Sequence, residues 1–354
     1  MREIREGNKE MEILVTGIGG LVGSNVARFF CSRGYRVVGI ENNTREALFG
    51  KQGGINLALQ KLLEDYEDIK VINADIRDRN AVSKAFKEHN FTAVVHCAGQ
   101  PSHDFSVQEP EIDFSINVVG TFNLLEEYRC HAPESKFIFL STNKVYGDFP
   151  NTVEIIEEKT RFKVIDDHYI NGFHENTPID QSNHTPFGAH KAAADLMVQE
   201  YSNTYNLSTV CLRAGCITGK AHSGVELHGF LSYLVKCAKN NVKYKIYGYS
   251  GKQVRDNVCA SDVANLIFIM VQNGIKSNVY NVGGGAGNAV SIVEVISLLK
   301  DKFSIELNYE YVDKPRWGDH ISYISDLSKI QKDYPEWSIS KSIEDILKDI
   351  IVNG

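Results

Sequence analysis

The stretch Glu12-Ile-Leu-Val-Thr-Gly-Ile-Gly-Gly-Leu-Val-Gly23 decides the fold. Its apolar first half predicts a buried strand, and the glycine-rich turn that follows directly opens a helical segment. Gly17 permits the tight turn, and Gly20 lets backbone amides approach a pyrophosphate at the positive end of the helix. Gly23 allows the helix and the strand to pack closely. We therefore predict that this turn binds a dinucleotide.

Short apolar runs alternate with amphipathic segments as far as residue 218. The predicted strands are Glu12–Thr16, Arg36–Ile40, Lys70–Asn73, Ala93–Cys97, Lys136–Ser141 and Thr209–Arg213, and the helical segments between them include Gly23–Ser32, Ala81–His89 and Gly120–Cys130. Continuous apolar runs of this length are typical of parallel strands that are buried on both faces. The alternation with helices predicts right-handed βαβ units, and hence an α/β fold with a doubly wound parallel sheet of the Rossmann type.

Composition and charge narrow the class of protein. The chain has 354 residues, 43% of them hydrophobic, and a formal net charge of -7 without long runs of like charge. We therefore predict that neither nucleic acid nor a membrane surface is a partner, and no apolar run is long enough to span a bilayer. Seven cysteines, an odd number without a C-x-x-C pair, indicate reduced thiols, so we expect a cytoplasmic protein without a metal site.

An acid at the end of the second predicted strand selects the cofactor. Glu41 lies about 20 residues after the glycine turn, where a carboxylate can accept hydrogen bonds from ribose hydroxyls. Because this charge would repel a 2'-phosphate, we predict NAD rather than NADP, although Arg45 nearby works in the opposite direction. The predicted cofactor-binding residues are Gly17, Gly20, Leu21, Val22, Glu41, Asn42, Asp75, Ile76, Cys97, Ala98, Gly99, Asn117 and Lys191.

Together, the motifs resemble those of the extended short-chain dehydrogenase/reductases that epimerise, dehydrate or decarboxylate nucleotide sugars. The resemblance covers nearly the whole chain. It rests on the glycine turn, Asp75, His96–Gly99, Asn117–Thr121, Ser141–Gly147, the Phe187/Lys191 pair, Gly251–Asp256, Asp262 and Asn281–Gly284. Within this family, Ala98–His103 and Ser141–Asp148 look most like the CDP-paratose (tyvelose) 2-epimerases.

The resemblance implies a role for each matching residue. Thr142 occupies the hydroxyl position of the catalytic Ser/Thr-Tyr-Lys set, and Lys191 holds the nicotinamide ribose and supplies positive charge. Arg255 and Arg316 match positions that hold the diphosphate of the nucleotide sugar, a task that suits the guanidinium fork. Asn143 and Lys144 belong to the expected sugar site.

One position departs from the family pattern. In Thr185-Pro-Phe-Gly-Ala-His-Lys191 the phenyl ring of Phe187 stands where the acid-base tyrosine belongs, and a phenyl ring cannot move a proton. Phe187 is either natural to a subgroup or an isosteric substitution. We rank His103 first among the candidate proton carriers, because it follows the fourth strand; the others are Lys144, Tyr169, Glu175 and His190.

The residues after Thr142 separate the neighbouring reactions. Dehydratases of this family place Asp-Glu there to remove water, whereas this chain has Asn143-Lys144, so epimerisation is favoured. The expected reaction oxidises a carbinol carbon to a transient keto-sugar and reduces it again from the opposite face with NADH that stays bound. Two alternatives remain: a dehydrogenase that releases a keto product, and a catalytically inactive NAD(H)-binding sensor.

We predict an N-terminal tail at 1–10 and an NAD-binding domain at 11–218. A smaller C-terminal substrate-binding α/β lid comprises mainly 219–354, where the composition becomes loop-rich before a last helix from Ser342 to Ile351, and 252–275 packs back on the first domain. The resemblance also implies a homodimer through helices at about 120–130 and 186–205, and a role in polysaccharide biosynthesis.

Overall fold

A computed structural model describes residues 11–51, 54–219, 226 and 229–353. The predicted tail at 1–10 lies outside the described residues. The strands are β1 (Glu12–Thr16), β2 (Arg36–Glu41), β3 (Ile69–Asn73), β4 (Phe91–His96), β5 (Lys136–Thr142), β6 (Ile155–Glu157), β7 (Phe162–Val164), β8 (Ser208–Ala214), β9 (Cys216–Thr218), β10 (Tyr244–Tyr247), β11 (Val254–Cys259), β12 (Val279–Val282), β13 (Ala289–Ser291), β14 (Tyr309–Val312) and β15 (Ser322–Tyr323).

The α-helices are α1 (Leu21–Cys31), α2 (Thr44–Phe49), α3 (Asn56–Asp65), α4 (Arg79–Glu88), α5 (His103–Gln108), α6 (Pro110–Phe114), α7 (Gly120–His131), α8 (Pro186–Tyr205), α9 (Phe230–Lys239), α10 (Ala260–Asn273), α11 (Ile292–Phe303), α12 (Ser328–Asp333) and α13 (Ile343–Asn353). A π-helical turn at Ser115–Val119 joins α6 to α7, and a 3₁₀ turn at Asn143–Tyr146 follows β5.

A seven-stranded parallel sheet is the centre of the molecule. Its strand order is β12-β8-β5-β4-β1-β2-β3, and every neighbouring pair is parallel. The doubly wound α/β prediction is confirmed. The strand order reverses between β1 and β4, and in such sheets this switch point opens a ligand crevice at the carboxyl ends of the strands.

Helices cover both faces of this sheet. On one face α1, α3 and α10 bury side chains such as Phe30, Leu62 and Met270 against β1, β4 and β8. On the other face α4, α7 and α8 bury side chains such as Val82, Leu125 and Val198. Since both faces are packed with apolar residues, the sheet is a rigid base that fixes the ends of its strands.

The chain after residue 219 contains more regular structure than its composition suggests. Strands β9, β11, β13 and β15 form a small mixed sheet, β10 pairs with β14, and α9, α11 and α13 share a third apolar core. Two elements of this half belong to the first body, because α10 packs on α1 and β12 is the edge strand of the seven-stranded sheet. The boundary at residue 218 stays a prediction.

Two general properties complete the description. All seven cysteines are free thiols. Among the described residues, no helix combines the length and apolar character needed to cross a bilayer.

Candidate active site

A cavity of about 490 Å³ runs along the carboxyl edge of the seven-stranded sheet. The site residues predicted from the sequence line this cavity, with the exception of Arg255 and of three candidate proton carriers. The lining residues are Gly17, Gly20, Leu21, Val22, Glu41, Asn42, Asp75, Ile76, Cys97, Ala98, Gly99, His103, Asn117, Thr142, Asn143, Lys144, Phe187, Lys191 and Arg316. Their individual roles stay predictions, but the chain brings them together at one place.

The glycine turn shapes one wall of the cavity. Gly17 has a φ of +67°, and a Cβ there would lie 2.8 Å from the backbone nitrogen of Ala98, so a side chain would be both strained and in collision. Helix α1 starts from Gly20 without a side-chain cap and has no acid in its first turn. Its first amide groups are therefore unsatisfied within the helix and lie at its positive end, which fits the pyrophosphate of a dinucleotide.

The buried side chain of His96 is hydrogen-bonded next to the glycine turn. His96 is hydrogen-bonded through Nδ1 to Thr16 Oγ1 at 2.8 Å and through Nε2 to Thr121 Oγ1 at 3.0 Å. Burial, followed by the positive charge of Lys191, lowers the pKa of His96 to about 3. The ring is therefore neutral at neutral pH and serves as a structural link between β1, β4 and α7.

The end of the cavity near β2 and β3 is acidic. The Glu41 carboxylate accepts hydrogen bonds from the backbone N–H groups of Gly19, Asn42 and Asn43, each at 3.0 Å. Asp75 accepts from Asn42 at 2.8 Å; burial opposes ionisation of Asp75, but hydrogen bonds and the charge of Arg77 outweigh it and lower the pKa. Two fixed carboxylates suit the two hydroxyls of an adenosine ribose and disfavour a 2'-phosphate. Arg45 also lines this end.

The π-helical turn holds the loop after β4. Asn117 accepts from the backbone N–H of Gln100 at 3.2 Å and donates to the Gln100 carbonyl at 3.1 Å and to Asp113 at 3.1 Å. π-helical turns are rare, and those that occur are frequently found at functional sites. Here the turn directs Asn117 to residues 98–100 in the cavity wall.

Helix α8 carries Phe187 and Lys191 one turn apart. Thr185 caps the helix by accepting from the backbone N–H of Gly188 at 3.3 Å, and Pro186 occupies the first turn. Lys191 Nζ donates to the Leu140 carbonyl at 2.8 Å and stands 4.0 Å from the centre of the Phe139 ring. Burial lowers the pKa of Lys191 to about 8, although Asp195 opposes the shift.

Thr142 ends β5 beside these residues. Its Oγ1 accepts a hydrogen bond from the backbone N–H of Lys144 at 3.3 Å, which caps the 3₁₀ turn Asn143–Tyr146. The hydroxyl therefore lies at the carboxyl edge of the sheet, together with Lys144 and Asn143 in the cavity wall.

The ring of His103 packs edge-on against Phe187, with 4.9 Å between the ring centres. Its Nδ1 is hydrogen-bonded to Thr185 Oγ1 at 2.6 Å. Burial, followed by the charge of Lys144, lowers the pKa of His103 to about 3. His103 is therefore adjacent to the position of the absent phenol, but it is a neutral imidazole at neutral pH.

The two predicted diphosphate arginines differ in position. Arg316 lines the cavity and lies 4.6 Å from the centre of the Tyr247 ring. Arg255 lies behind the wall, because β11 is an inner strand of the small sheet and buries it; its guanidinium pairs with Asp319 and donates to the Val254 carbonyl at 2.7 Å. A contact of Arg255 with diphosphate stays a prediction. It requires that Asp319 release the guanidinium group or share it with the ligand.

Three candidate proton carriers do not line the cavity. Tyr169 is stacked on Phe173 with 4.9 Å between ring centres, in a separate aromatic cluster. Glu175 accepts from the backbone N–H of Asn281 at 2.8 Å, and His190 is paired with Asp113 at 2.6 Å. Tyr169, Glu175 and His190 are therefore corrected from candidate carriers to structural residues.

Sequence reasoning missed other parts of the wall. Residues 214–218, from the last residue of β8 to the end of β9 and including Cys216, line the cavity, and the predicted end of β8 is the signal that could have found them. Gln100 also lines the wall, and its backbone N–H donates to Asn117. No local pattern indicates the pairing of Asp319 with Arg255, which are 64 residues apart.

The fold and the site define an NAD-binding short-chain dehydrogenase/reductase of the extended, nucleotide-sugar type. A model of the NAD dependent epimerase/dehydratase family matches residues 13–283, and the chain belongs to that family. The predicted cofactor, NAD, is confirmed by this membership.

Curated relatives cover nearly the whole chain. CDP-paratose 2-epimerase of Salmonella typhi is 32% identical over 342 residues, which cover 95% of this chain and 96% of the relative. A dTDP-glucose 4,6-dehydratase of Escherichia coli is 30% identical over 345 residues, which cover 91% and 88%. UDP-glucose 4-epimerase of Thermus thermophilus, solved with NAD, has the same fold with a TM-score of 0.77, at 24% identity and with 97% and 98% of the chains covered.

Proposed function

We propose that the protein is an NAD-dependent epimerase that acts on a nucleotide-diphosphate sugar, in a reaction like that of CDP-paratose 2-epimerase. One observation carries the choice over dehydration. The acids in the described part of the cavity wall are Glu41 and Asp75, both at the ribose end, whereas Asn143 and Lys144 follow Thr142 at the other end. Elimination of water needs a carboxyl group beside the sugar, and the described part of the wall supplies none there.

Epimerisation makes different demands on the chain. NAD, when bound, supplies a hydride acceptor that can give the hydride back. The Thr142 hydroxyl would hold the reacting sugar oxygen, and the positive charge of Lys191 would stabilise negative charge that develops on it. Neither role requires a group to be consumed, so the protein can return to its starting state after each turnover.

The substrate is proposed on two grounds. Arg316, and Arg255 if Asp319 yields, would bind the diphosphate, for which a guanidinium is well suited. The 32% identity with CDP-paratose 2-epimerase over nearly the full chain makes CDP-paratose the first sugar to test. The epimerised nucleotide sugar would serve polysaccharide biosynthesis. The seven free thiols suit the reducing cytoplasm, where we propose that the protein acts.

The experiment that tests the function is calorimetric titration of NAD-loaded protein with CDP-, UDP-, GDP- and dTDP-sugars, CDP-paratose among them. NMR of each sugar after overnight incubation then identifies the product. Binding followed by inversion of one carbinol is the expected result. Net growth of NADH absorbance with a released keto-sugar would instead identify a dehydrogenase, and binding of NAD without any nucleotide sugar would identify a sensor.

We also propose that two copies associate through α7 and α8. Large apolar side chains are exposed on the surface that these helices share with α5, α6 and the π-helical turn: Val107, Ile112, Phe114, Val119, Phe122, Leu196 and Tyr205. Several large apolar side chains exposed on elements that pack together are typical of an interface. Resemblance to relatives that dimerise through the equivalent helices supports a second copy of this chain as the partner.

A further inference from the structure

Lys144 lies beside the position where the phenol is missing. The 3₁₀ turn that carries it packs directly on the first turn of α8, because a Cβ at Gly188 would lie only 2.9 Å from the Lys144 carbonyl oxygen. Gly188 is the neighbour of Phe187, and both Phe187 and Lys144 line the cavity. The backbone of Lys144 and the first turn of α8 are therefore in contact, and His103, which packs on Phe187, lies against Gly318, the hydrogen-bond partner of the Lys144 amino group.

The side chain of Lys144 is fixed but retains hydrogen-bonding capacity. Its Nζ donates to the Gly318 carbonyl at 2.9 Å, and no other group among the described residues is its hydrogen-bond partner. Gly318 in turn lies against His103, since a Cβ at Gly318 would be 2.7 Å from the ring. An ammonium group has three N–H donors, so two remain for a ligand in the cavity.

We propose that Lys144 is the acid-base group of this site, which takes the proton of the reacting sugar hydroxyl and later returns it. The inference rests on the proposed epimerase function and supplies the step that Phe187 cannot perform. It differs from the predicted substrate-binding role, because it assigns a change of protonation to Lys144 rather than a fixed charge.

The chemical balance of the step is simple. The sugar O–H bond breaks, its electron pair forms the second bond of the carbonyl group, and the proton goes to the lone pair of a neutral Nζ. NAD, when bound, would accept the hydride from the same carbon, so that the sugar would lose two electrons and two hydrogens in all. In the return half, the carbon regains a hydride on its other face, and the ammonium group of Lys144 gives its proton to the carbonyl oxygen.

The charges around Lys144 favour this exchange. Burial, followed by the charge of Arg255, lowers the pKa of Lys144 to about 8, and Asp319 and then Cys216 oppose the shift. The two neighbouring imidazoles, His103 and His320, have pKa values lowered by burial and then by Lys144 itself. An acid-base group works best when its pKa is close to the working pH, and Lys144 satisfies this condition while neutral His103 does not.

Lys191 is the competing amine. Its pKa is also lowered to about 8 by burial, although Asp195 opposes the shift. However, its Nζ donates to the Leu140 carbonyl and stands on the Phe139 ring, in the position that the family resemblance assigns to cofactor binding. The experiments must therefore separate the two lysines.

The first experiment measures the protonation of each lysine without turnover. Full-length, NAD-loaded protein is acetylated with trace acetic anhydride between pH 6 and 10.5, and labelling at each lysine is measured by mass spectrometry. Lys84, whose side chain is 73% exposed, is the internal reference. We expect the labelling of Lys144 to rise with a midpoint near pH 8; a midpoint above pH 10 would overturn the proposal, because the neutral amine would then be too rare to accept a proton.

The second experiment separates charge from proton transfer, with CDP-paratose as the probe. Lys144→Arg keeps a positive charge that cannot be given up, and Lys144→Ala removes the amine. We expect both variants to lose at least about a hundredfold in kcat with less than a tenfold change in Kd, and ethylamine to restore part of the activity of Lys144→Ala. Lys144→Arg with the turnover and pH profile of the parent protein would contradict the proposal and direct attention to Lys191.

These outcomes distinguish the two hypotheses. If the parent protein turns over none of the nucleotide sugars, the epimerase function fails and the assignment of Lys144 falls with it. If the parent protein epimerises a sugar while Lys144→Ala retains its full rate, only the assignment of Lys144 is wrong.

Discussion

Phe187 places an apolar ring where the family resemblance predicts the acid-base tyrosine. Its ring is only 7% exposed and packs on His103, so the position is filled with an apolar wall rather than with water. A phenyl ring can neither donate nor accept a proton, so Phe187 itself supplies no acid-base group. Proton transfer must then come from a group that approaches from another element, as Lys144 does from the 3₁₀ turn.

The substitution Phe187→Tyr tests whether this position limits the reaction. Because we expect Lys144 to carry the proton, the added phenol should change kcat for CDP-paratose by less than about tenfold. A site that lacked any carrier would instead gain about a hundredfold or more from the phenol. Steady-state kinetics measure the difference, and Phe162→Tyr, on β7 outside the cavity wall, is the control for the added hydroxyl.

At the scale of elements, the turn between β1 and α1 couples stability to cofactor binding. We expect Gly17→Ala to lower the free energy of unfolding by about 1–3 kcal/mol, because a positive φ and a 2.8 Å contact with Ala98 must both be accommodated. NAD affinity should fall by at least about tenfold, since the turn positions the first amides of α1.

Thermal unfolding and calorimetric titration with NAD check this prediction. Gly287→Ala is the matched control, because a Cβ there meets no atom within 4 Å and its φ is not in the left-handed region. Unchanged NAD affinity in Gly17→Ala would show that the turn is not the pyrophosphate site.

Most of the sheet could be predicted from the sequence. The ends of β1 coincide with the prediction, and those of β2 to β5 and β8 differ from it by at most two residues, because an uninterrupted apolar run is needed wherever a parallel strand is buried on both faces. The four-residue edge strand β12 has no such distinctive run, and its place in the sheet depends on long-range pairing with β8.

The site could be predicted only in part, because some of its residues are fixed by their place after a strand and others by tertiary packing. Residues that directly follow a strand are fixed at the carboxyl edge, so Thr142, Glu41 and Asp75 line the cavity as predicted. Tyr169 and Glu175 lie in a long connection whose direction local sequence does not determine, and tertiary packing placed them in or beside an aromatic cluster. The partner of Arg255 is likewise set by packing across the chain.

At the scale of the whole molecule, the exposed apolar surface predicts the oligomeric state. Leu196→Glu would place a charge on α8 at a side chain that is 51% exposed, and we expect a homodimer to become a monomer. Sedimentation velocity measures the change. Leu63→Glu, on α3 on the opposite face of the sheet and 39% exposed, is the control; a parent protein that is monomeric would contradict the proposal.

We expect the free energy of unfolding to fall as the pH decreases from about 6.5 to about 4. His96 and His103 have native pKa values of about 3, and that of His320 is also well below its usual value, each because of burial. In the unfolded chain these groups take up protons below about pH 6.5, while the native state does not, so stability is complete above that pH and falls as the pH decreases. Asp256, whose pKa burial raises to about 6, binds a proton in the native state and opposes the loss below that pH.

The three histidines take up protons on unfolding between about pH 6 and 4, and Asp256 opposes this uptake only in part. The free energy of unfolding should therefore fall as the pH decreases in this range, by about 1.4 kcal/mol per pH unit for each proton taken up. Urea unfolding at several pH values measures the slope. His96→Gln can keep the hydrogen bonds to Thr16 and Thr121, and it should reduce the slope by the contribution of about one proton. An unchanged slope would show that the pKa of His96 is not lowered in the native protein.

The late position of β12 in the chain has a consequence for synthesis. When the ribosome has released the chain as far as β8, six of the seven strands of the central sheet are available, but the edge of β8 has no neighbour and α1 lacks the cover of α10. Because β12 and α10 complete the sheet and the cover of α1, we expect stable binding of NAD only after the segment that carries Arg255 has also emerged. NAD captured at that stage would be captured by a nearly complete chain, so an interrupted product would not sequester the nucleotide.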